Sequence, residues 1–460
     1  MSHWLEVVLR PPVSMAYPNG AIRMTRTAGR KHTKNCISLP DIIHKDELES
    51  ACIMSSHIAE EELYKHLPFS HTYDEIPIFI GRDITLDPQL EEAKRRIGWS
   101  LFGDTGRADL EGLLQQLHSQ KYGQNLKTFY LPHNPHPQVL LLEYSTFLRI
   151  VITSCNMRNI DTKQADNLWY IHDIPRRNEN SREPLSTFGS ELREFLRYLN
   201  VPRLFLQSIF NNYDYSTVNV HLTISMPSSI TNKPANCGLM SMRRNVERMG
   251  LNLSQKDRSG ALQLEVCSVK VGKLNAVWLN HFYDCALGKS IMDTGLRRNV
   301  LPRIKLFHPN RGDVITANED AQDVAKCITC GVQRRFWFTG KEDRTMKNVF
   351  HHYISKDTGT LSHQNVILAY NPRATTQLPY YMYIGSATFE TTSWGELRRI
   401  NPGILQVVGM QTIECGVLIP GHLIDGLLEK GTGSWQEGIV PHIQTTPSYA
   451  TKNGDPWTAK

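Results

Sequence analysis

The sequence predicts an α/β fold built from two similar halves. Three observations carry this expectation. Helix-period and strand-period apolar patterns alternate along the chain instead of segregating into blocks. A His leading into a Val-headed apolar strand occurs in the first half at His136 and again in the second at His363. The 460 residues are 40% hydrophobic and 21% charged, ordinary globular usage on a chain long enough for two to three domains.

The elements follow in order. Ile76–Ile80 reads as a strand. Asp87 and Pro88 read as a cap and first-turn proline opening a helix that runs through Ile97. Val139–Tyr144 and Leu148–Thr153, joined by Ser145-Thr146-Phe147, form an antiparallel hairpin. Leu192, Phe195, Leu196 and Leu199 recur at helical spacing. Val218–Ile224 is a strand, and the polar stretch from Met226 to Pro234, with two prolines, is read as the inter-domain connection. This divides the chain into residues 1–228 and 229–460. In the second half Leu274, Val277, Trp278 and Phe282 predict a helix, and Val366–Tyr370 and Tyr380–Ile384 predict strands.

Composition excludes several classes. No apolar run approaches the roughly 18 residues of a membrane span. Nine cysteines, an odd number spread from Cys36 to Cys415, do not make a secreted disulfide framework. The single Cys327-x-x-Cys330 pair has no second pair or His ligands beside it, so no metal site is expected. The first fifteen residues lack the apolar core of a secretory signal. A net charge of +6 permits a polyanionic partner without demanding one.

The two halves repeat a local pattern: His, any residue, a side-chain amide, Val and a strand, then a second strand and a Ser-containing turn. The first copy runs from His136 and Gln138 to Asn156, the second from His363 and Asn365 to Thr388. Two histidines brought together from two halves can divide the work at a phosphodiester. One attacks phosphorus, and the other protonates the leaving oxygen and then activates water. The residue two positions after each His faces the same way along an extended chain. A cation suits that position, because phosphoryl transfer is mostly positioning and charge neutralisation.

On these residues the sequence resembles the tyrosyl-DNA phosphodiesterase family of the phospholipase D superfamily, which carries two H-x-K motifs, one per half. Leu148–Asn156, Asp161 and Trp169 are similar to the strand and Asn after the first motif. Ser386-Ala387 and Ser393-Trp394-Gly395 are similar to the tail of the second, and Glu414-Cys415-Gly416-Val417-Leu418 to a family strand. Tyr17–Ile22, Gln263–Val269 with Trp278-Leu279, and Pro447, Tyr449 and Asp455-Pro456-Trp457 extend the resemblance over nearly the whole chain. It implies two phospholipase D-like α-β-α sandwich domains related by pseudo-two-fold symmetry. It further implies hydrolysis of 3′-end adducts on DNA, in DNA repair and in the nucleus, with no metal or cofactor. His136 and His363 would be catalytic, Gln138, Asn156, Asn365 and Thr388 would surround the phosphate, and Glu414 would support them.

The sequence departs from the family pattern where charge matters. Gln138 and Asn365 replace both motif lysines, and Thr388 replaces the second Asn. Losing one preorganised charge-stabilising donor typically costs about 10²–10³ in rate. Two readings therefore stand side by side: a phosphodiesterase with weakened activity, and a pseudoenzyme that binds nucleic-acid ends or single strands or serves as a scaffold for protein partners. Arg149, Arg158, Lys163 and Lys356 are candidate replacement cations, and His351 is an alternative position for the second motif. The clusters Arg176-Arg177, Arg243-Arg244 with Arg248, and Arg297-Arg298 with Arg303 and Lys305 would suit phosphates. Tyr380, Tyr381, Tyr383, Trp394 and Trp169 would suit base stacking.

Overall fold

The computed structural model describes residues 14–459 apart from 29, 32, 73–74, 98–103, 179–183, 228–236, 291–302, 318, 332–348, 357–358, 375–376, 402–403 and 443–455. In chain order, the strands of the first half are β1 (Ala21–Thr25), β2 (Cys36–Ile37), β3 (Leu48–Met54), β4 (Ile78–Arg82), β5 (Leu126–Tyr130), β6 (Val139–Tyr144), β7 (Phe147–Thr153), β8 (Ala165–Asp166) and β9 (Leu168–Pro175). Those that follow are β10 (His221–Ser225), β11 (Gln263–Ser268), β12 (Lys270–Val271), β13 (Ile304–His308), β14 (Thr329–Cys330), β15 (Phe350–His352), β16 (Leu361–Ser362), β17 (Asn365–Tyr370), β18 (Tyr381–Gly385), β19 (Glu396–Asn401), β20 (Ile404–Val408) and β21 (Glu414–Pro420).

Two mixed sheets organise these strands. One has the order β2-β1-β9-β7-β6-β3-β4-β5, the other β10-β21-β18-β17-β11-β13-β15. Apart from β2 the two orders superpose strand for strand, and so do the senses. β3, β4 and β5 run parallel, as do β11, β13 and β15. The hairpin β6–β7 and its neighbours are antiparallel, as are β17–β18 and theirs. β10 takes the place in its sheet that β1 takes in the first. The structural repeat therefore begins at His221, ahead of the connection expected around Ser228, most of which lies outside the described residues.

Side-chain alternation assigns each strand face to a core. Val139 and Leu141 of β6, with Val366 and Leu368 of β17, enter a central core between the sheets. Helices Thr187–Tyr198 and Arg203–Asn212 contribute Leu192, Phe195, Leu196 and Ile209 to it. Leu140 and Leu142 face an outer core with Leu39, Ile42 and Tyr64. Ile367 and Ala369 face another, under helices Leu239–Arg248 and Ala276–Ala286. The predicted hairpin and the helix ending at Ile97 form as expected. The first predicted strand starts later, at Ile78, because Pro77 has no N–H to give a ladder. The strand expected from Val218 starts at His221, after Asp214 caps a 3₁₀ turn through Ser216 N. Val277 is exposed, and Leu279 and Tyr283 join Trp278 and Phe282 on the buried helix face instead.

Candidate active site

The two repeated motifs meet where the sheets' hairpins face each other. His136 precedes β6, and its N–H donates to Ile413 O at 2.9 Å, just ahead of β21 in the second half. Pro135 and Ile413 form a parallel bridge there. Glu414 is thereby set 3.4 Å from His136 Nδ1. His363 is placed by the reverse exchange. β16 pairs in parallel with β8, and His363 N–H donates to Asp166 O at 3.0 Å. A single π-helical turn at Ile160–Gln164, a form often found at functional sites, then swings Asp161 Oδ1 to 3.0 Å from His363 Nδ1. Each histidine thus lies beside a carboxylate from the other half, although Asp161 Oδ1 and His363 Nδ1 make no hydrogen bond.

The two rings differ in environment. The His136 side chain is 38% exposed and that of His363 is 7%. Burial pushes the His136 pKa down, but the contact with Glu414 and its charge outweigh burial, and the net shift is upward against an opposing Lys270. Burial pushes His363 down, with Asp161 opposing and Arg158 adding to the fall. A third imidazole, His57, follows β3 and is pushed down to about 4, first by burial and next by Arg158. It also feels the charges of both His136 and His363. Met157 N donates to His57 O at 3.1 Å and joins these loops.

The residues expected around the phosphate divide. Gln138 Nε2 donates to Asn156 Oδ1 at 2.6 Å, and Gln138 Oε1 is buried with no hydrogen-bond partner. Asn365 is committed to the fold: its Oδ1 accepts from Ser268 Oγ at 2.9 Å and Val269 N at 3.3 Å, and its Nδ2 donates to Ser386 O at 3.1 Å. Thr388 Oγ1 donates to Glu390 Oε1 at 2.8 Å and lies 2.9 Å from Ser393 Oγ. Glu414 accepts from Ser386 Oγ at 2.6 Å and Ser393 Oγ at 3.0 Å, which aims it at His136.

The candidate replacement cations also divide. Arg149 is fully buried in a two-point pair with Asp173, at 2.7 and 2.9 Å. Lys163 pairs with Glu62, and Lys356 donates to Gln436 O. Arg158 reaches the site, its Nε 2.6 Å from Asp161 Oδ2. Lys270, not singled out from the sequence, pairs with Glu390 at 2.9 Å. His351 lies in β15 with its ring against Phe307. Among the basic clusters, Arg176 pairs with Glu49, Arg243 with Glu247, Arg244 and Arg248 with Glu191, and Arg303 with Asp257. Lys305 donates to Tyr370 OH. Arg297 and Arg298 lie outside the described residues, as do Pro447, Tyr449 and Asp455. Trp169, Tyr381, Tyr383 and Trp394 are core residues with no face for a base. Half-buried Tyr380 lies under Lys256.

His57 and Lys270 carry no local signal of their place, and Asp161, though part of the family resemblance, carries none of its contact with His363. Their place follows from register: Met54 pairs with Val139, three residues past His136, and His57 stands three past Met54. Ser268 pairs with Asn365, two past His363, and Lys270 stands two past Ser268.

Comparison with known proteins bears on this arrangement. No curated protein matches the sequence at significant similarity. The yeast tyrosyl-DNA phosphodiesterase structure is similar at a TM-score of 0.60 and 14% identity, over 87% of this chain and 89% of that one. A histidine-to-asparagine variant of the yeast enzyme gives 0.61 and 14%, over 87% and 90%. These likenesses show the fold alone, an α/β architecture with two repeated mixed sheets like that of the yeast structures. The family described as tyrosyl-DNA phosphodiesterase matches residues 21–455, and with the repeated sheets that hold His136 and His363, the chain belongs to that family.

Proposed function

We propose that this chain hydrolyses a phosphodiester adduct, such as one to tyrosine, at a DNA 3′ end through a phosphohistidine intermediate. The observation that carries the reading is the reciprocal arrangement of two imidazoles, each backed by a carboxylate from the opposite half. Glu414 holds the Nδ1 side of His136, so that Nε2 carries the lone pair that attacks phosphorus. The P–N bond forms as the P–O bond to the adduct breaks, and His363 gives its proton to the leaving oxygen. Water then attacks phosphorus, His363 takes up its proton, and the P–N bond breaks to leave a 3′-phosphate. The negative phosphate raises the depressed pKa of His363 once bound, which supplies the acid form. DNA 3′ ends or single strands are the proposed partners, with DNA repair in the nucleus as the setting.

A second reading, an inactive binder of nucleic-acid ends or a scaffold for other proteins, is favoured by one observation: Asn365 spends its side chain on the fold. Purified protein and a 3′-phosphotyrosyl oligonucleotide separate the two. The catalytic reading expects tyrosine release that His136→Ala abolishes, at a rate reduced by up to about 10⁴–10⁶ if nothing replaces the two lysines. Release no greater than that of His136→Ala refutes it. Oligonucleotide binding that falls steeply with salt would then support the binder.

A further inference from the structure

We propose that Arg158 and Lys270 contact the substrate phosphate in place of the two motif lysines, each reaching the cleft from a loop tied to a vacated lysine position. The inference rests on the reading of this cleft as a phosphodiester site.

The ties are specific. Gln138 stands at the first vacated position, and its amide donates to Asn156 at 2.6 Å; Arg158 is two residues further along that loop. Asn365 stands at the second, and its carbonyl accepts from Val269 N at 3.3 Å; Lys270 is the next residue. Ser268 Oγ, bound to Asn365 at 2.9 Å, also donates to Lys270 O at 2.8 Å. A short neutral side chain at each position draws in a neighbouring loop, and each loop carries a cation.

Both cations are also connected to the histidines. Arg158 Nε donates to Asp161, which stands beside His363. Lys270 holds Glu390, which accepts from Thr388, and Thr388 Oγ1 lies 2.9 Å from Ser393 Oγ, the donor to Glu414 beside His136. Their charges reach the rings, since Lys270 depresses the His136 pKa and Arg158 depresses those of His57 and His363. Neither is sealed in the core: the Arg158 side chain is 26% exposed and that of Lys270 is 45%, whereas Arg149 is at 0%.

Charge balance makes them necessary. Three carboxylates, Asp161, Glu390 and Glu414, surround the histidines, and without the two cations a phosphate would meet them unopposed. Arg158 and Lys270, paired with Asp161 and Glu390, offset two of these three charges, so an arriving anion meets less repulsion. Arg158 Nε is held by Asp161 and its Nη2 lies 3.5 Å from Cys327 Sγ, which leaves Nη1 to turn toward a phosphate oxygen, and Lys270 offers a point charge.

The test compares binding of a 3′-phosphoryl oligonucleotide with that of its 3′-hydroxyl counterpart to the full-length chain. The 3′-phosphoryl end should be preferred by about tenfold or more. Arg158→Gln and Lys270→Gln should each remove most of the preference, while Arg158→Lys and Lys270→Arg keep much of it. Returning the cation should rescue: Gln138→Lys in the Arg158→Gln background, and Asn365→Lys in the Lys270→Gln background. Lys270→Gln should also move the His136 titration upward, followed by NMR of the ring protons, which a merely structural Lys270 would not do. A wild-type chain without preference, or neutral variants that keep it in full, overturns the inference. Tyrosine release separates this outcome from the catalytic reading. Preference without release defeats catalysis and leaves the anion site standing; release undiminished in both neutral variants defeats the anion site and leaves catalysis standing.

Discussion

Glu414 does two things to His136: it raises the ring's pKa and fixes which nitrogen is free. Glu414→Gln removes the negative charge while keeping acceptors for Ser386 and Ser393. Burial and Lys270 then act without opposition, so the His136 pKa falls. On the catalytic reading, with neutral His136 as nucleophile and its pKa above that of the acid His363, His136 sets the basic limb of the rate–pH profile, which moves to lower pH, while the maximal rate drops by about 10²-fold as orientation is lost. Asp161→Asn acts on the other ring. Removing Asp161 lowers the already depressed His363 pKa, so the acid limb, set by the lower of the two pKa values, moves to lower pH. Steady-state tyrosine release from pH 5 to 9 measures both. The histidines, Asn156 and Glu414 can be found from sequence because each stands at a fixed distance from a recognisable strand. Asp161 is part of the family resemblance, but its contact with His363 is not legible, since it depends on a π-helical turn and on a bridge between strands almost 200 residues apart. Lys270 looks like any surface lysine until the pairing of Ser268 with Asn365 places it.

At the scale of the element, the β6–β7 hairpin holds the first motif, and its rigidity depends on a buried charge. Arg149 of β7 is sealed under Tyr17, Tyr144 and Phe147 and is neutralised by Asp173 of β9. Asp173 also accepts from Ala16 N and Tyr17 N, at 2.8 and 3.0 Å, which pins the segment before β1. Asp173→Ala leaves a guanidinium buried without its partner and should cost about 3–5 kcal/mol, seen as a lower denaturation midpoint. Replacing both members with well-packed apolar residues should cost much less. The hairpin itself is readable because alternating apolar residues specify two buried faces. Its arginine is not readable as structural, because the same residue type in the same strand would serve equally well as a phosphate ligand. Only its complete burial decides.

The whole molecule places histidines where protonation opposes folding. Burial lowers His57, His172 and His308 to about 4, from an ordinary 6.5. Above pH 6.5 both folded and unfolded chains hold these rings neutral, and they contribute no pH dependence. As pH falls from about 6.5 toward 4 the unfolded chain takes up protons first, so stability declines by up to a few kcal/mol per ring. Below about 4 this contribution levels off. Urea midpoints at steps through that window should fall steadily, and His308→Gln should flatten the slope if the variant folds. The duplication is visible in sequence only through its two motifs. The matching strand orders make it plain, and they place its second copy at His221.

The exchange of carboxylates between halves also bears on synthesis. Chains fold from the N-terminus as they are made. A ribosome-bound chain that has completed only its first sheet holds His136 without Glu414, and Asp161 without His363. Until β21 has emerged and docked, His136 has no carboxylate beside it, and until β16 has paired with β8, Asp161 has no His363. On the catalytic reading, a chain without its second half lacks His363 and Glu414 and is expected to leave phosphodiesters uncut. A protein proposed to act on DNA ends would thus carry a safeguard in its own topology: it cannot cut before it is whole.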